Sequence, residues 1–146
     1  MSNKDNTIEV LESDYLYVQT SQLPNAGNGL FTAITIYKDE IISYFDGEIL
    51  TDSEIEKRKA ANQDQYFINR VEGGILDSMH TDCFAKYAND AKGIATTKFK
   101  NNAIISLDEN KKICIIATKK IKQGEEIFCS YGTPYWSKHK KIIDID

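Results

Sequence analysis

The stretch that decides the reading is Asp77–Asp90, DSMHTDCFAKYAND, taken with Gly124–Gly132, GEEIFCSYG, further along the chain. Asp77 closes a short candidate strand, Gly74–Asp77, and Asp82–Ala88 has the spacing of one short helix. Gly124-Glu125-Glu126 is a polar turn running into the apolar run Ile127–Cys129, which ends at Tyr131-Gly132 and then Pro134-Tyr135-Trp136. Upstream, Asn25-Ala26-Gly27-Asn28-Gly29-Leu30-Phe31 places two glycines before an apolar strand. Glycines there let backbone amides and carbonyls approach a ligand closely, or simply make a tight turn. Tyr44-Phe45-Asp46-Gly47 is a strand end running into a turn.

The rest of the chain is β-rich. Tyr15–Thr20 reads as a strand, followed by the loop SQLPNAGNG, and residues 29–50 give two strands around the polar turn Tyr37–Glu40. Thr51-Asp52-Ser53-Glu54 starts a charged helix over Glu54–Gln63, with Asp52 or Ser53 as its cap. Phe67–Val71 pairs with Gly74–Asp77, and Ile104–Leu107 with Ile113–Ala117 across Asp108-Glu109-Asn110. No internal repeat or low-complexity tract interrupts this pattern.

With 146 residues the chain makes one domain, large enough for a hydrophobic core and too small for a catalytic and a separate recognition domain. Its net charge of -4 does not favour a phosphate backbone, so direct nucleic-acid binding is not expected, whereas a lysine-rich peptide suits a carboxylate-lined cleft. Cys83, Cys114 and Cys129 lack zinc-ligand spacing and read as buried thiols in a reducing compartment, so no metal site is expected. MSNKDNTIEV has no apolar signal region and no run approaches a membrane span. The expectation is an intracellular protein without a membrane partner, nucleus and cytoplasm not distinguished.

The four motifs, in their order along the chain from Asn25–Phe31 through Tyr44–Gly47 and Asp77–Asp90 to Gly124–Gly132, resemble the SET family of protein lysine methyltransferases. That family carries a GxG followed by Leu-Phe, a Tyr-x-Gly or Tyr-x-x-Gly, an Asp-Ala upstream of Arg-Phe-x-Asn-His-Ser, and Gly-Glu-Glu-Leu-x-x-Asp-Tyr-Gly. The resemblance runs from about Leu16 to Trp136, with Asp77 to Asn89 ungapped. It implies a mainly β SET-domain fold of several small twisted β-sheets with a C-terminal pseudoknot, where the Asn89 and Tyr131 segments meet. The implied layout is an N-terminal tail over 1–10, the SET domain over 11–137 and a basic C-terminal tail over 138–146. Within these 146 residues no cysteine-rich segment flanks the domain, so the expectation is that the last residues, Tyr135, Trp136 and the run Lys138–Lys141, cover the cofactor, the basic run itself reading more as a solvated tail than as a specific site.

The activity implied is transfer of a methyl group from S-adenosyl-L-methionine to a lysine side chain of a protein, a histone or histone-like tail first among substrates. The alternatives are the same chemistry on a non-histone protein, and a non-catalytic SET-fold binding module. Such a displacement needs a neutral amine, the methyl carbon and the sulfur on one axis. A lysine with a free pKa near 10.4 loses its proton more readily in an aromatic channel beside a sulfonium. By carry-over, Tyr131 is the catalytic residue, its hydroxyl placed to accept weak C–H hydrogen bonds from the reacting methyl. Ala26, Asn28 and Gly29 hold the cofactor through backbone, Asn89 through its side chain, and Trp136 covers the adenine or the channel mouth. Tyr44 and Tyr66 line the lysine channel. Asp90 stands where the family has histidine and removes a possible hydrogen-bond donor, unless the contact there is made by backbone. Cys129, two residues before Tyr131, is small where some relatives carry an aromatic, which favours more than one round of methylation.

Overall fold

The computed structural model describes residues 8–70, 73–93, 97–130 and 142–144. Among them are three small β-sheets. The first joins β1 (Leu16–Thr20), β2 (Asn28–Thr32) and β9 (Glu126–Ile127), all antiparallel, with Gln19 opposite Gly29 and Phe31 opposite Glu126. Tyr15 does not open β1; it closes the single helical turn α1 (Glu12–Tyr15), and its hydroxyl donates to the Ile42 carbonyl at 2.6 Å.

The second sheet is built on the hairpin of β7 (Ala103–Leu107) and β8 (Ile113–Ala117). Its turn is set by Asp108, whose carboxylate accepts the amides of Asn110 at 2.8 Å and Lys112 at 2.9 Å, a local alternative to strand pairing. On one side β3 (Ile41–Tyr44) pairs antiparallel with β8, through an irregularity between Ile41 and Ser43. On the other, β10 (Cys129–Ser130) runs parallel to β7. The third sheet has the order β11-β5-β6-β4, made of β11 (Ile142–Asp144), β5 (Phe67–Asn69), β6 (Ile75–Asp77) and β4 (Glu48–Leu50). β11 pairs in parallel with β5, within the stretch expected from sequence to be a basic tail.

The sheets close on one main core, in which Leu30, Ile36, Ile42, Ile115, Ile121 and Ile127 have no exposed surface. Each such side chain contributes roughly 1.5–3 kcal/mol by leaving water. A smaller cluster, Leu50, Phe67 and Ile75, receives Ile55 of α2 (Asp52–Ala60). That helix is capped by Thr51, one residue ahead of the two caps expected. The Thr51 hydroxyl accepts the Glu54 amide at 3.2 Å while the Glu54 carboxylate accepts the Thr51 amide at 3.0 Å, so two orphan donors are satisfied reciprocally. The short helix expected over Asp82–Ala88 is reduced to a 3-10 turn, Ala85–Tyr87. Among the described residues no helix is long and apolar enough to cross a membrane.

The C-terminal segment lies between two earlier ones. The Cys129 amide donates to the Asn89 carbonyl at 2.8 Å, Asn89 bridges Phe128 in parallel, and the Phe128 carbonyl accepts the amides of Asn102 and Ala103. This crossing is what a C-terminal pseudoknot requires, and it sets Asn89 beside the strand that leads into residue 131.

Candidate active site

The loop between β1 and β2 is built on Leu23, which is buried against Ala91 and Phe128, with Ala26 and Phe99 packed on the same cluster. The Phe99 and Phe128 rings lie 5.3 Å apart. The loop closes on itself through the Ser21 amide, which donates to the Gly27 carbonyl at 2.8 Å. Asn25 and Gly27 both take positive φ, 59° and 70°, and a side chain at Gly27 would meet nothing within 4 Å, so the glycine answers a backbone requirement and leaves the main chain open there. At the far end the Asn28 carbonyl accepts the Asn89 side-chain amide at 3.0 Å. Ala26, Asn28 and Asn89, three residues assigned from sequence to one site, are therefore brought together.

Gly29 has a different reason to be glycine. It is buried, and a Cβ there would collide with the carboxylate of Glu126 and crowd the Ser21 side chain. The carboxylate of Asp90 is turned inward: it accepts the Lys92 amide at 2.9 Å and the Asn101 side-chain amide at 2.8 Å, while Asn101 accepts the Ala91 amide at 2.8 Å. Aspartate in the family's histidine position thus serves to order the turn after Asn89. Tyr131 and Trp136 lie outside the described residues.

Away from the glycine loop, none of whose residues line it, a cleft of about 810 Å³ is walled by Val18, Tyr44, Phe45, Leu76, Phe84, Tyr87 and Ile113. Charges of both signs stand on it: Glu12, Asp46 and Asp82 against Arg70, Lys111 and Lys112. A volume of this order suits a ligand of several side chains. Tyr44 is one of its walls. Its amide donates to Glu12 at 3.0 Å and its hydroxyl to Asp108 at 3.0 Å; burial, then the bond to Asp108, push the phenol up to about 12. Burial alone would raise the Asp108 carboxyl, but the bonds it accepts from Lys112, Tyr44 and Asn110 hold it below the usual carboxylate range.

Tyr66 does not line this cleft. It stands behind Tyr87 and Cys83, where burial and then those neighbours raise its phenol. The Lys86 ammonium lies 6.0 Å from the Tyr66 ring and 5.5 Å from the Tyr87 ring, and donates to the carbonyls of Ser78, Met79 and Thr81. One lysine therefore gathers the turn after β6, where the family pattern has arginine. Asp77 itself, the acid of the same motif, is fully buried and bound by Arg58 of α2 at 2.7 Å. Sequence reasoning passed over Glu126, Asp108, Lys86 and Arg58 as site-shaping residues. A visible signal existed only for Glu126, a carboxylate directly followed by an apolar run.

Burial pushes the Cys114 thiol up to about 12 and raises that of Cys129 as well, so both are poor nucleophiles. Among the described residues no group of three or more His, Cys, Asp or Glu stands close enough to hold a metal ion.

The SET domain family model matches residues 27–132, from the glycine loop to the end of the last motif. This chain belongs to the SET domain family. Histone-lysine N-methyltransferase mes-2 of Caenorhabditis elegans is 31% identical to it over 119 residues, 79% of this chain and 15% of that protein. Histone-lysine N-methyltransferase EZH2 of Chaetomium thermophilum is 28% identical over 135 residues, 85% of this chain and 8% of its own length. Among solved structures, the Chaetomium thermophilum Polycomb Repressive Complex 2 bound to GSK126 superposes with a TM-score of 0.67 at 28% identity, covering 80% of this SET domain and 16% of that chain. The complex in an autoinhibited conformation bound to S-adenosylmethionine gives 0.66 at 27% identity, covering 81% and 15%. The chain spans a small fraction of these relatives, the part that carries the SET fold.

Proposed function

We propose that this SET domain transfers a methyl group from S-adenosylmethionine to a lysine of a protein substrate, with a histone or histone-like tail as the first substrate to examine. The observation that carries this reading is the pair of hydrogen bonds of Asn89, whose side-chain amide donates to the Asn28 carbonyl while its own carbonyl accepts the Cys129 amide. The glycine loop, the asparagine of the third motif and the strand leading to Tyr131 are thereby one unit. The loop fits the cofactor: its backbone is open at Gly27 and it rests on the apolar pad of Leu23, Ala91 and Phe128. Ala26, Asn28 and Asn89 would hold the group, which when bound supplies an electrophilic methyl.

The chain's own work is positional. The cleft walled by Tyr44, Phe45 and Tyr87 takes the substrate; its three acids and three bases balance, so apolar walls and not net charge draw the side chain in, with Asp46 and Asp82 placed to pair basic groups of the peptide. Its aromatic walls exclude water and favour the neutral amine. We assign Tyr131, one position past β10, to the point of transfer. The names of the relatives support the histone substrate, and the structure of a relative with S-adenosylmethionine supports the cofactor. Against a non-catalytic module stands Asp90, whose carboxylate is engaged by Asn101 and Lys92 and leaves the Asn89 contacts intact.

Calorimetric titration with S-adenosylmethionine, followed by radiolabelled methyl transfer to histone tails, tests the proposal. Wild-type protein is expected to bind and transfer. Tyr131→Phe is expected to bind with unchanged affinity and to lose on the order of a hundredfold in rate, the usual cost of one group placed at a transition state. No binding by wild type overturns the cofactor assignment. Full activity in Tyr131→Phe overturns the catalytic one.

A further inference from the structure

Glu126 has 2% of its surface exposed, and among the described residues no cation pairs with it. A buried carboxylate without a counter-ion is costly unless its oxygens are fully hydrogen-bonded. Here both are used on one target. Oε2 accepts the Ser21 hydroxyl at 2.7 Å, Oε1 accepts the Gln22 amide at 2.8 Å, and the Ser21 oxygen in turn accepts the Leu23 amide at 3.1 Å. Three consecutive residues at the start of the glycine loop are thus tied to one side chain more than a hundred positions away. Gly29 is kept free of a side chain by the same carboxylate.

We propose that Glu126 is a positioning residue for the cofactor. Its carboxylate sets the start of loop 21–28 against β9 as Asn89 sets its end, so that the backbone of Ala26–Asn28 is preorganised before any ligand arrives. This rests on the cofactor reading given above. Preorganisation of this kind lowers the ordering cost of binding and is felt in affinity. The backbone of Glu126 is fixed independently: it pairs with Phe31, and its carbonyl accepts the Asn102 side chain at 3.1 Å. Loss of the carboxylate therefore acts on the loop first.

Three variants of the full chain separate the arms of this contact. Glu126→Ala removes both; Ser21→Ala removes the hydroxyl arm alone. Glu126→Gln keeps an oxygen for Gln22 but turns an amide toward Ser21, whose hydroxyl proton then has no acceptor. The first readout is native-state amide exchange, which needs no ligand. Faster exchange at both Gln22 and Leu23 is expected in Glu126→Ala, with protection restored at Gln22 in Glu126→Gln. The second is S-adenosylmethionine affinity by calorimetry, expected to fall roughly tenfold in Ser21→Ala and in Glu126→Gln, and no further in the double variant because both cut one arm. Unchanged exchange at Gln22 and Leu23 overturns the proposal, as do unchanged affinities beside a wild type that binds. Should Glu126→Ala not fold, the two milder variants decide. A wild type that takes up no S-adenosylmethionine overturns the reading of the site, while amide exchange still decides whether Glu126 holds the loop.

Discussion

In the glycine loop every side-chain acceptor that matters is buried and taken: Glu126 by Ser21 and Gln22, Asp90 by Asn101 and Lys92. In the cleft walled by Tyr44, Phe45 and Tyr87, the aromatic walls are held at a few points, Tyr44 by Asp108, by Glu12 and by the Lys112 ammonium 5.1 Å from its ring, while Asp46, Asp82 and Lys111 bring exposed charges to the lining. A satisfied polar network specifies one geometry, which suits a ligand that never varies. Apolar walls with solvated charges tolerate variation, which suits side chains that differ from one protein substrate to the next. The difference is one of physical means within a single domain, and each side can be broken separately.

The largest expected effect lies behind the cleft. Gly47 and Leu76 line it, and Asp77 stands just beneath: a Cβ at Gly47 would strike the Asp77 carbonyl. Asp77 is fully buried and its carboxylate is held by Arg58, which also reaches Glu48 at 2.9 Å. Arg58→Ala leaves that charge buried without its cation and is expected to cost about 3 kcal/mol, read from denaturant midpoints. Loss of less than 1 kcal/mol would show that the ion pair does not hold the wall.

Next comes Gly29→Ala, which attacks the ordered side. The methyl group meets the Glu126 carboxylate, so about 2 kcal/mol of stability is expected to be lost to overpacking, together with S-adenosylmethionine binding. Retained affinity with lowered stability would sharpen the contrast by showing that the loop tolerates a shift of β2.

How much of this was legible follows the same division. The β7–β8 hairpin and the pairing of β5 with β6 could be read from short apolar runs on either side of a polar turn, Asp108-Glu109-Asn110 in the first and Glu72-Gly73 in the second. The order of four motifs gave the family and the grouping of Asn28 with Asn89. Three misplacements were local competitions. Thr51 took the cap from Asp52 and Ser53 because only Thr51 stands three residues before Glu54, the spacing a reciprocal cap needs. Asp82–Ala88 shrank to a 3-10 turn, with Lys86 donating to three carbonyls of the preceding turn. Tyr15 closed α1 because its hydroxyl reaches Ile42. Long-range polar pairs, Glu126 with Ser21 or Arg58 with Asp77, leave no periodic trace, so Glu126 and Asp77 stood in the quoted motifs while their partners Ser21 and Arg58 could not be read.

The smallest effect tests the hold of Asp108 on Tyr44. Tyr44→Phe deletes the hydroxyl bound to Asp108 and is expected to cost about 1 kcal/mol at neutral pH. The contribution should depend on pH at both ends. The Asp108 carboxyl is held below its ordinary value, so the stability it brings is present above about pH 4 and is lost as pH falls through the lower folded value. The Tyr44 phenol is raised to about 12, so its share is complete below its ordinary value of 10.0 and is lost as pH rises through 12. Thermal midpoints of wild type and Tyr44→Phe should therefore run parallel and separated from about pH 4 to 10, and converge on acidification. Separation that persists unchanged at pH 2 would mean that the hydroxyl acts through packing and not through the Asp108 charge. The same variant should leave S-adenosylmethionine affinity untouched, since none of its bonds reach the loop; a drop there would erase the boundary between the two sides.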